Sequence, residues 1–357
     1  MRRLLIVSLV VLAIGPANAE TTNFLPHVQM SVEKYVRPAM ANFNETAEEL
    51  PSAVATVCSD PTPEKLTEFS NKFSDVVSAF GAVSFLAYGP MLEDDRLKRL
   101  AFLPDPRGIA QRQINRFKAS SDYQTITAPA LTEKSVALQG LTALELIAFS
   151  KTTEPILGQG EHSEDCSYAQ AIADNIANIS RELVTSWSDP AGYTKTLLAV
   201  GQNNPVHRTE QEAMETVFNA LPTALTILKD QHVLPVIAKG KQKSRPRRLP
   251  FSRSANGIRF MTANIAGIRD ALTAMDLEPS LPEDYKWLPG TAVFELDNAI
   301  DLAGKVGQPV RNHFEANNGF ETFTTLTLTL TSINLTVGEE IAAALNLSAG
   351  FNALDGD

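Results

Sequence analysis

Apolar residues recur along this chain with the period of an α-helix. The clearest case is a single apolar face with members at positions i, i+4, i+7, i+8, i+11 and i+14: Phe69, Phe73, Val76, Val77, Phe80 and Val83. The segment 60–64 (Asp-Pro-Thr-Pro-Glu) lies just upstream and carries the proline and the acid typical of a helix start. The same period predicts further helices over residues 24–49, 109–119, 132–150, 166–187, 209–230, 255–276, 291–305 and 338–346. The pattern therefore indicates an all-α fold.

One segment alternates with period two instead. Residues 325–331 read Thr-Leu-Thr-Leu-Thr-Leu-Thr, and this alternation of β-branched and apolar residues predicts a strand. A set of apolar residues in and around the segment also fits one helical face: Phe323, Leu326, Leu330 and Ile333. A helix therefore stays open as the alternative.

Helix-breaking segments divide the pattern. The segments 88–90 (Tyr-Gly-Pro) and 103–108 (Leu-Pro-Asp-Pro-Arg-Gly) stop helices through the proline ring and through turn-forming residues. The polar, glycine-bearing stretch 150–165 has the composition of a linker between two halves.

Two short segments in the two halves resemble each other. Residues 103–107 and 249–253 both read Leu-Pro-x-x-Arg, which suggests an internal duplication. The chain is also longer than a single hydrophobic core usually organises. We therefore predict two tandem helical bundles, over residues 20–160 and 161–357.

The first residues have the form of an export signal. Two arginines at positions 2 and 3 precede the apolar run 4–14, and Ala17-Asn18-Ala19 offers a cleavage site before Glu20. The run is too short for a membrane anchor, which needs about 20 apolar residues. We expect cleavage after Ala19, a periplasmic location for the remaining 338 of 357 residues, and no later transmembrane segment.

Charge and cysteine content narrow the range of partners. The formal charge of −10 becomes −12 without the signal, because the signal carries two arginines and no acid, and such a surface argues against nucleic acid as a partner. Cys58 and Cys166 are the only cysteines. An even count in an oxidising compartment favours one disulfide, whereas a redox or metal pair would normally show C-x-x-C spacing.

Glu145 is the most informative residue. It is the only charged residue in the stretch 136–149, and it shares a helical face with three core-type residues: Leu138, Leu141 and Ala148. A carboxylate in such a place needs a cation, hydrogen bonds, a metal or a raised pKa. It could bind a metal or another ligand. Equally, it could turn outward, or form a structural ion pair with an arginine such as Arg96, Arg99, Arg107 or Arg112.

Several segments together resemble the imelysin-like family. They are 135–145 (Ser-Val-Ala-Leu-Gln-Gly-Leu-Thr-Ala-Leu-Glu), 88–90, 102–105, Cys58, 166–169 (Cys-Ser-Tyr-Ala), 249–254 (Leu-Pro-Phe-Ser-Arg-Ser) and the terminal 350–357. That family takes its name from a candidate metallopeptidase and includes periplasmic iron-uptake components. The resemblance implies a fold of two helical bundles.

The hallmark of that family is Gly-x-His-x-x-Glu, in which the histidine and glutamate reach one cation from one helix face. The chain has Gly140 and Glu145, but Thr142 stands where the histidine belongs. A neutral hydroxyl is a poor substitute for an imidazole, so tight metal binding is in doubt and catalysis more so.

Other sequence features offer little catalytic chemistry. H-E-x-x-H and G-x-S-x-G motifs are absent, and the five histidines show no ligand-like spacing: His27, His162, His207, His232 and His313. The dense acidic segment 161–165 and the terminal Asp355-Gly356-Asp357 are expected to be a solvated linker and a capping tail. A basic run without acids could bind an anion or simply be a connector: Lys239, Lys241, Lys243, Arg245, Arg247, Arg248 and Arg253.

Three functions follow from these features. The first is a non-catalytic periplasmic factor, linked to iron acquisition, that binds a divalent or ferric cation or a small ligand near Glu145. The second is a scaffold that binds another envelope protein, and the third is a metallopeptidase. We rank them in that order.

Overall fold

The computed structural model describes residues 23–348, and within that range the chain is helical and contains no strand. Three π-helical turns connect helices without a break, at Val32–Val36, Leu228–Val233 and Thr336–Ile341. The predicted export signal and the terminal segment 350–357 lie outside the described residues.

The α-helices are α1 (Leu25–Ser31), α2 (Arg37–Ser59), α3 (Pro63–Val83), α4 (Arg96–Leu100), α5 (Ile109–Lys118), α6 (Ala128–Thr132), α7 (Gly140–Ala148), α8 (Cys166–Ser188), α9 (Tyr193–Leu198), α10 (Glu210–Phe218), α11 (Ala220–Ile227), α12 (Leu234–Ile237), α13 (Gly257–Met275), α14 (Leu288–Gly304), α15 (Val310–His313), α16 (Gly319–Leu335) and α17 (Ala342–Ala344). The 3-10 turns are Gly89–Met91, Glu93–Asp95, Val136–Leu138, Gly160–Asp165, Lys241–Lys243, Pro246–Arg248, Glu278–Ser280 and Glu283–Tyr285.

The predicted start and apolar face of α3 are both confirmed. Thr62 precedes the helix and its hydroxyl accepts a hydrogen bond from the Lys65 amide at 3.4 Å, while Pro63 occupies the first helical position. All six residues of the predicted face are buried. They pack against helices on both sides of α3, because that helix contacts α2 and α13.

The helices form two bundles, as predicted. The first is built on α2, α3, α7 and α8, and the second on α11, α13, α14 and α16. Packing of α3 on α13 joins the two, and Gly81 allows this contact because a methyl group there would lie 2.8 Å from the Phe260 carbonyl oxygen. No helix in the described part of the chain has the length and apolar character needed to span a bilayer.

A disulfide links the end of α2 to the start of α8. Cys58 and Cys166 are bonded, which confirms the predicted pair, and the bridge spans 108 positions. Helix α8 follows the boundary predicted near residue 160, yet it packs along α2 and α7 of the first bundle. The division of the chain at that boundary stays a prediction.

The strand prediction for residues 325–331 is wrong, because the segment lies within α16. Leu326 and Leu330 are buried while Leu328 is 68% exposed, so burial follows the helical period rather than the alternation. The threonine hydroxyls donate to the carbonyl oxygens one turn earlier, and these local bonds satisfy the polar half of the segment within a helix.

Candidate functional site

Glu145 is buried in α7 and is held by a residue of the second half of the chain. Its side chain is 7% exposed, and one carboxylate oxygen accepts two hydrogen bonds from Ser254. The backbone amide donates at 2.8 Å and the hydroxyl at 2.9 Å. The acid therefore faces inward, which was one of the alternatives that its helical position left open, and its first partners are neutral.

The neighbourhood of this carboxyl is cationic. Burial raises the pKa of Glu145, whereas the two bonds from Ser254 and the charges of Arg253 and Arg311 act to lower it. Burial in turn lowers the pKa of both guanidinium groups, and the Glu145 charge opposes that shift. Neither arginine forms a direct ion pair with a carboxylate of the described residues. The charges near Glu145 thus interact through space.

Three of the four arginines proposed as ion-pair partners from the sequence have other roles, and the fourth, Arg107, is exposed. Arg96 pairs with Glu93 and Glu182. Arg99 donates to Gln139 and Asn175, and Arg112 donates to the carbonyl oxygen of residue 107. The structural ion pair considered for Glu145 is therefore absent from the described residues.

Left-handed backbone shapes the loop that carries Ser254. Phe251 and Ala255 have φ values of 55° and 61°, which turn the chain sharply on either side of the serine. The side-chain amide of Asn256 donates to the Ser254 carbonyl oxygen and to its hydroxyl oxygen, both at 3.1 Å. The hydroxyl that reaches Glu145 is thereby fixed in place.

Gly140 and Thr142 fit α7 closely against the end of α4. Gly140 has a φ of 73°, and a methyl group at this position would lie 2.2 Å from the Leu100 carbonyl oxygen, so only glycine suits it. The Thr142 hydroxyl accepts a hydrogen bond from the Phe102 amide at 3.1 Å. These two motif positions anchor the helix that carries Glu145.

A cavity of about 450 Å³ opens beside Glu145. The two Leu-Pro-x-x-Arg segments line it from opposite halves of the chain, with residues 103–106 of the first and 249–253 of the second. Thr142 in α7 and the π-turn residues Asp230 and Gln231 complete much of its wall. The resemblance between the two segments in sequence is thus matched by a shared location, at a site of ordinary size for a small ligand.

Residues 36–335 match the model of the Imelysin family. The chain belongs to the imelysin family. The match covers most of the chain and confirms the resemblance that the scattered segments indicated. No curated protein is significantly similar to the chain.

Two solved structures share the fold of this imelysin-family chain. An imelysin-like protein from Psychrobacter arcticum 273-4 aligns with a TM-score of 0.78 at 15% identity, over 93% of this chain and 99% of its own. A candidate iron-regulated protein A precursor from Parabacteroides distasonis ATCC 8503 aligns with a TM-score of 0.67 at 15% identity, over 90% and 97%. At this identity the two structures support the architecture alone.

The family motif does not assemble a metal-ligand set here. Residues 23–348 contain no group of three or more His, Cys, Asp or Glu side chains arranged to hold a metal ion. The Thr142 hydroxyl is occupied by the Phe102 amide, and the charged groups closest to Glu145 in their electrostatic effect are two arginines, which repel a cation. A cation bound at Glu145 would need further ligands from a molecule in the cavity.

Part of the predicted basic run belongs to this site. Arg247, Arg248 and Arg253 line the cavity, whereas Arg245 is exposed and lies outside its lining. The Arg248 guanidinium donates to the Pro106 carbonyl oxygen at 3.0 Å and so joins the two loops. The predicted anion patch is thus only partly assembled at the cavity.

Sequence reasoning missed Arg311 and Ser254 as site residues. Arg311 lies in a short helix, α15, in a segment without periodicity or motif, and its side chain lines the cavity. Ser254 belongs to a segment that we quoted only for its resemblance to the family. The repeat of Leu-Pro-x-x-Arg and the basic run that ends at Arg253 both pointed to this loop.

The acidic segment 161–165 forms a 3-10 turn in which Glu161, Ser163 and Glu164 are exposed, as expected of a solvated linker, whereas Asp165 is buried. Asp165 is 2% exposed and pairs with Lys118 at 2.6 Å, and it also accepts hydrogen bonds from Tyr123 and His162. Its carboxylate is thereby committed to holding α5 and the start of α8 together.

A second buried polar group lies behind the main cavity. His232 and Asn264 line a smaller cavity of about 110 Å³, and this cavity shares Leu103 and Gln231 with the larger one. The Nδ1 atom of His232 and the Oδ1 atom of Asn264 have no hydrogen-bond partner in the described structure. Burial lowers the pKa of His232 to about 4, so its imidazole is neutral near pH 7.

Proposed function

We propose that this imelysin-family protein is an exported, non-catalytic binding factor linked to iron acquisition, and that its ligand occupies the cavity beside Glu145. The observation that carries the proposal is a buried carboxylate, with one oxygen held by Ser254, in the wall of a ligand-sized cavity. Export to the periplasm is part of the proposal and is supported by the signal-like residues 1–19.

The link to iron is supported by the comparisons. One structural neighbour is described as a candidate iron-regulated protein A precursor, and this chain itself matches the Imelysin family model over residues 36–335. A binding role is favoured over peptidase chemistry because Thr142 replaces the motif histidine and its hydroxyl is engaged by a backbone amide. Glu145 alone supplies too few protein ligands for a catalytic metal.

The test is to measure the iron and the small molecules that remain bound to the protein when it is isolated from the periplasm without chelator. Wild-type protein and Glu145→Gln are purified from iron-replete cells, and bound iron and small molecules are measured by elemental analysis and native mass spectrometry. We expect iron or a small-molecule ligand to co-purify with the wild type and to fall at least tenfold in the variant. If neither iron nor a small molecule accompanies the wild type, the proposed function is wrong.

Two further assays separate the alternative functions. Cleavage of an unfolded protein substrate in the presence of saturating zinc would establish peptidase activity and contradict a non-catalytic role. Co-purification of an envelope protein that is unaffected by Glu145→Gln and independent of iron would favour the scaffold instead. We expect neither result.

A further inference from the structure

Four arginines and few available acids surround the cavity. Its lining contains Arg247, Arg248, Arg253 and Arg311, and none of these forms an ion pair with a carboxylate within residues 23–348. Arg253 and Arg247 each disfavour the charged form of Arg311, so the groups lie close enough to repel one another. Positive charge is therefore concentrated on one side of the cavity.

The acids in the same wall do not balance this charge. Asp105 uses both carboxylate oxygens to accept the Ile109 and Ala110 amides at the start of α5, at 2.7 and 2.9 Å. Asp230 is exposed and pairs with Lys229. Glu145 remains, and its burial favours the protonated form. The wall thus carries four guanidinium groups and three carboxyl groups, and two of these acids already have partners of their own: amides for Asp105 and a lysine for Asp230.

The two arginines nearest Glu145 are held in place by neutral oxygens. Arg253 donates to the Leu146 carbonyl oxygen and to the Gln111 side chain, each at 3.3 Å. Arg311 donates to the Ser252 hydroxyl at 3.3 Å and to the Lys151 carbonyl oxygen at 3.2 Å. A guanidinium has five N–H donors, so each group keeps about three for a ligand. Such oriented, partly desolvated forks suit the bidentate binding of carboxylate or phosphate.

We infer that the cavity binds an anionic ligand whose carboxylate or phosphate oxygens are held by Arg253 and Arg311. This inference rests on the proposed function and assigns a chemical class to its ligand. A carboxylate-bearing chelate would bring to iron most of the ligands that the protein lacks, and Glu145 would supply one more, which is why Glu145→Gln would still weaken retention of the chelate. The carboxylate or phosphate oxygens of the same ligand would bind the guanidinium groups of Arg253 and Arg311.

Isothermal titration calorimetry of the full chain tests the ligand class. The probes are citrate, ferric citrate, inorganic phosphate, glycerol as an uncharged control, and ferrous and zinc ions without chelator. We expect citrate or ferric citrate to bind, with affinity that falls as salt is raised, and glycerol and the free ions to give no heat. Tighter binding of phosphate than of citrate would keep the anion class but make phosphate the recognised group.

Substitutions of single arginines test where the anion binds. Arg253→Gln and Arg311→Gln each remove a charged fork, and we expect a loss of about 10- to 100-fold in anion affinity for either. Arg245→Gln is the matched control, because it removes a charge from the same basic run outside the cavity, and we expect less than a twofold change. Arg311→Lys keeps the charge without the fork and should also weaken binding, which guards against a folding defect in the glutamine variant.

Each contrary result has a distinct meaning. Binding of free ferrous or zinc ions that depends on Glu145, without binding of any anion, overturns the anionic ligand and leaves the proposed function standing. Equal losses in Arg245→Gln and Arg253→Gln overturn the assignment to the cavity. If iron or a ligand co-purifies from the periplasm but no anionic probe binds, the ligand class is wrong and the binding role is not.

Discussion

The carboxylate of Glu145 and the backbone amide of Ser254 are hydrogen-bonded at 2.8 Å although 109 positions separate them. The Ser254 hydroxyl adds a second bond to the same oxygen, and both residues are buried. This contact ties α7 of the first bundle to the loop before α13 of the second. The cavity lies at the same junction, so the site depends on how the two halves meet.

Glu145→Gln and Glu145→Ala should separate the structural role of this contact from its charge. The glutamine keeps an acceptor oxygen for Ser254 and removes a buried charge, so we expect the free energy of unfolding at pH 7 to be unchanged or higher. The alanine leaves the buried Ser254 donors without an acceptor and should cost about 1–3 kcal/mol. Urea unfolding of both variants measures the difference. Equal stabilities would show that the contact does not hold the two halves together.

Gly140→Ala should be more destabilising than Gly108→Ala. Both glycines have left-handed backbone, with φ of 73° and 64°, so either substitution carries a strain of about 1–2 kcal/mol. A methyl group at Gly108 meets nothing within 4 Å, whereas at Gly140 it meets the Leu100 carbonyl oxygen. We expect a further loss of about 1–3 kcal/mol in Gly140→Ala. Matching urea midpoints for the two variants would contradict the close approach of α7 to α4.

His232 should make the protein less stable in mild acid. Its pKa falls from 6.5 to about 4 in the folded chain because it is buried, so between these values the unfolded chain binds more protons. Stability is therefore complete above pH 6.5 and is lost as the pH falls, by about 2 kcal/mol between pH 7 and pH 5. Urea unfolding at both pH values measures this loss.

The His232→Phe variant isolates that effect. It keeps a planar ring beside Phe260 and removes the titrating group. The raised pKa of Glu145 has the opposite effect on stability, because the folded chain then binds the extra proton and gains stability as the pH falls. This contribution is the same in the wild type and in His232→Phe. The wild type should lose more stability than His232→Phe on acidification. A loss of the same size in both would mean that His232 is not responsible.

Local sequence determined most of the helices and singled out Glu145 as an unusual acid. Apolar residues at helical spacing predicted the buried face of α3, and the single charge in an apolar stretch marked the acid that the structure buries. The even cysteine count predicted the pair that is bonded. The disulfide and the two bundles followed from composition, length and family resemblance, and both are confirmed.

Tertiary structure decided what periodicity leaves open. The alternating segment 325–331 is a helix, because neighbouring helices bury Leu326 and Leu330 but leave Leu328 exposed. The sequence pattern itself does not distinguish these three leucines. Ser254 contacts Glu145, and Arg311 lines the same cavity, only through the packing of two bundles, since contacts across more than a hundred positions leave no local pattern. Sequence alone thus determined that an acid would need neutralising inside the protein. Which groups surround it was decided by the fold, because charge is balanced by neighbours in space.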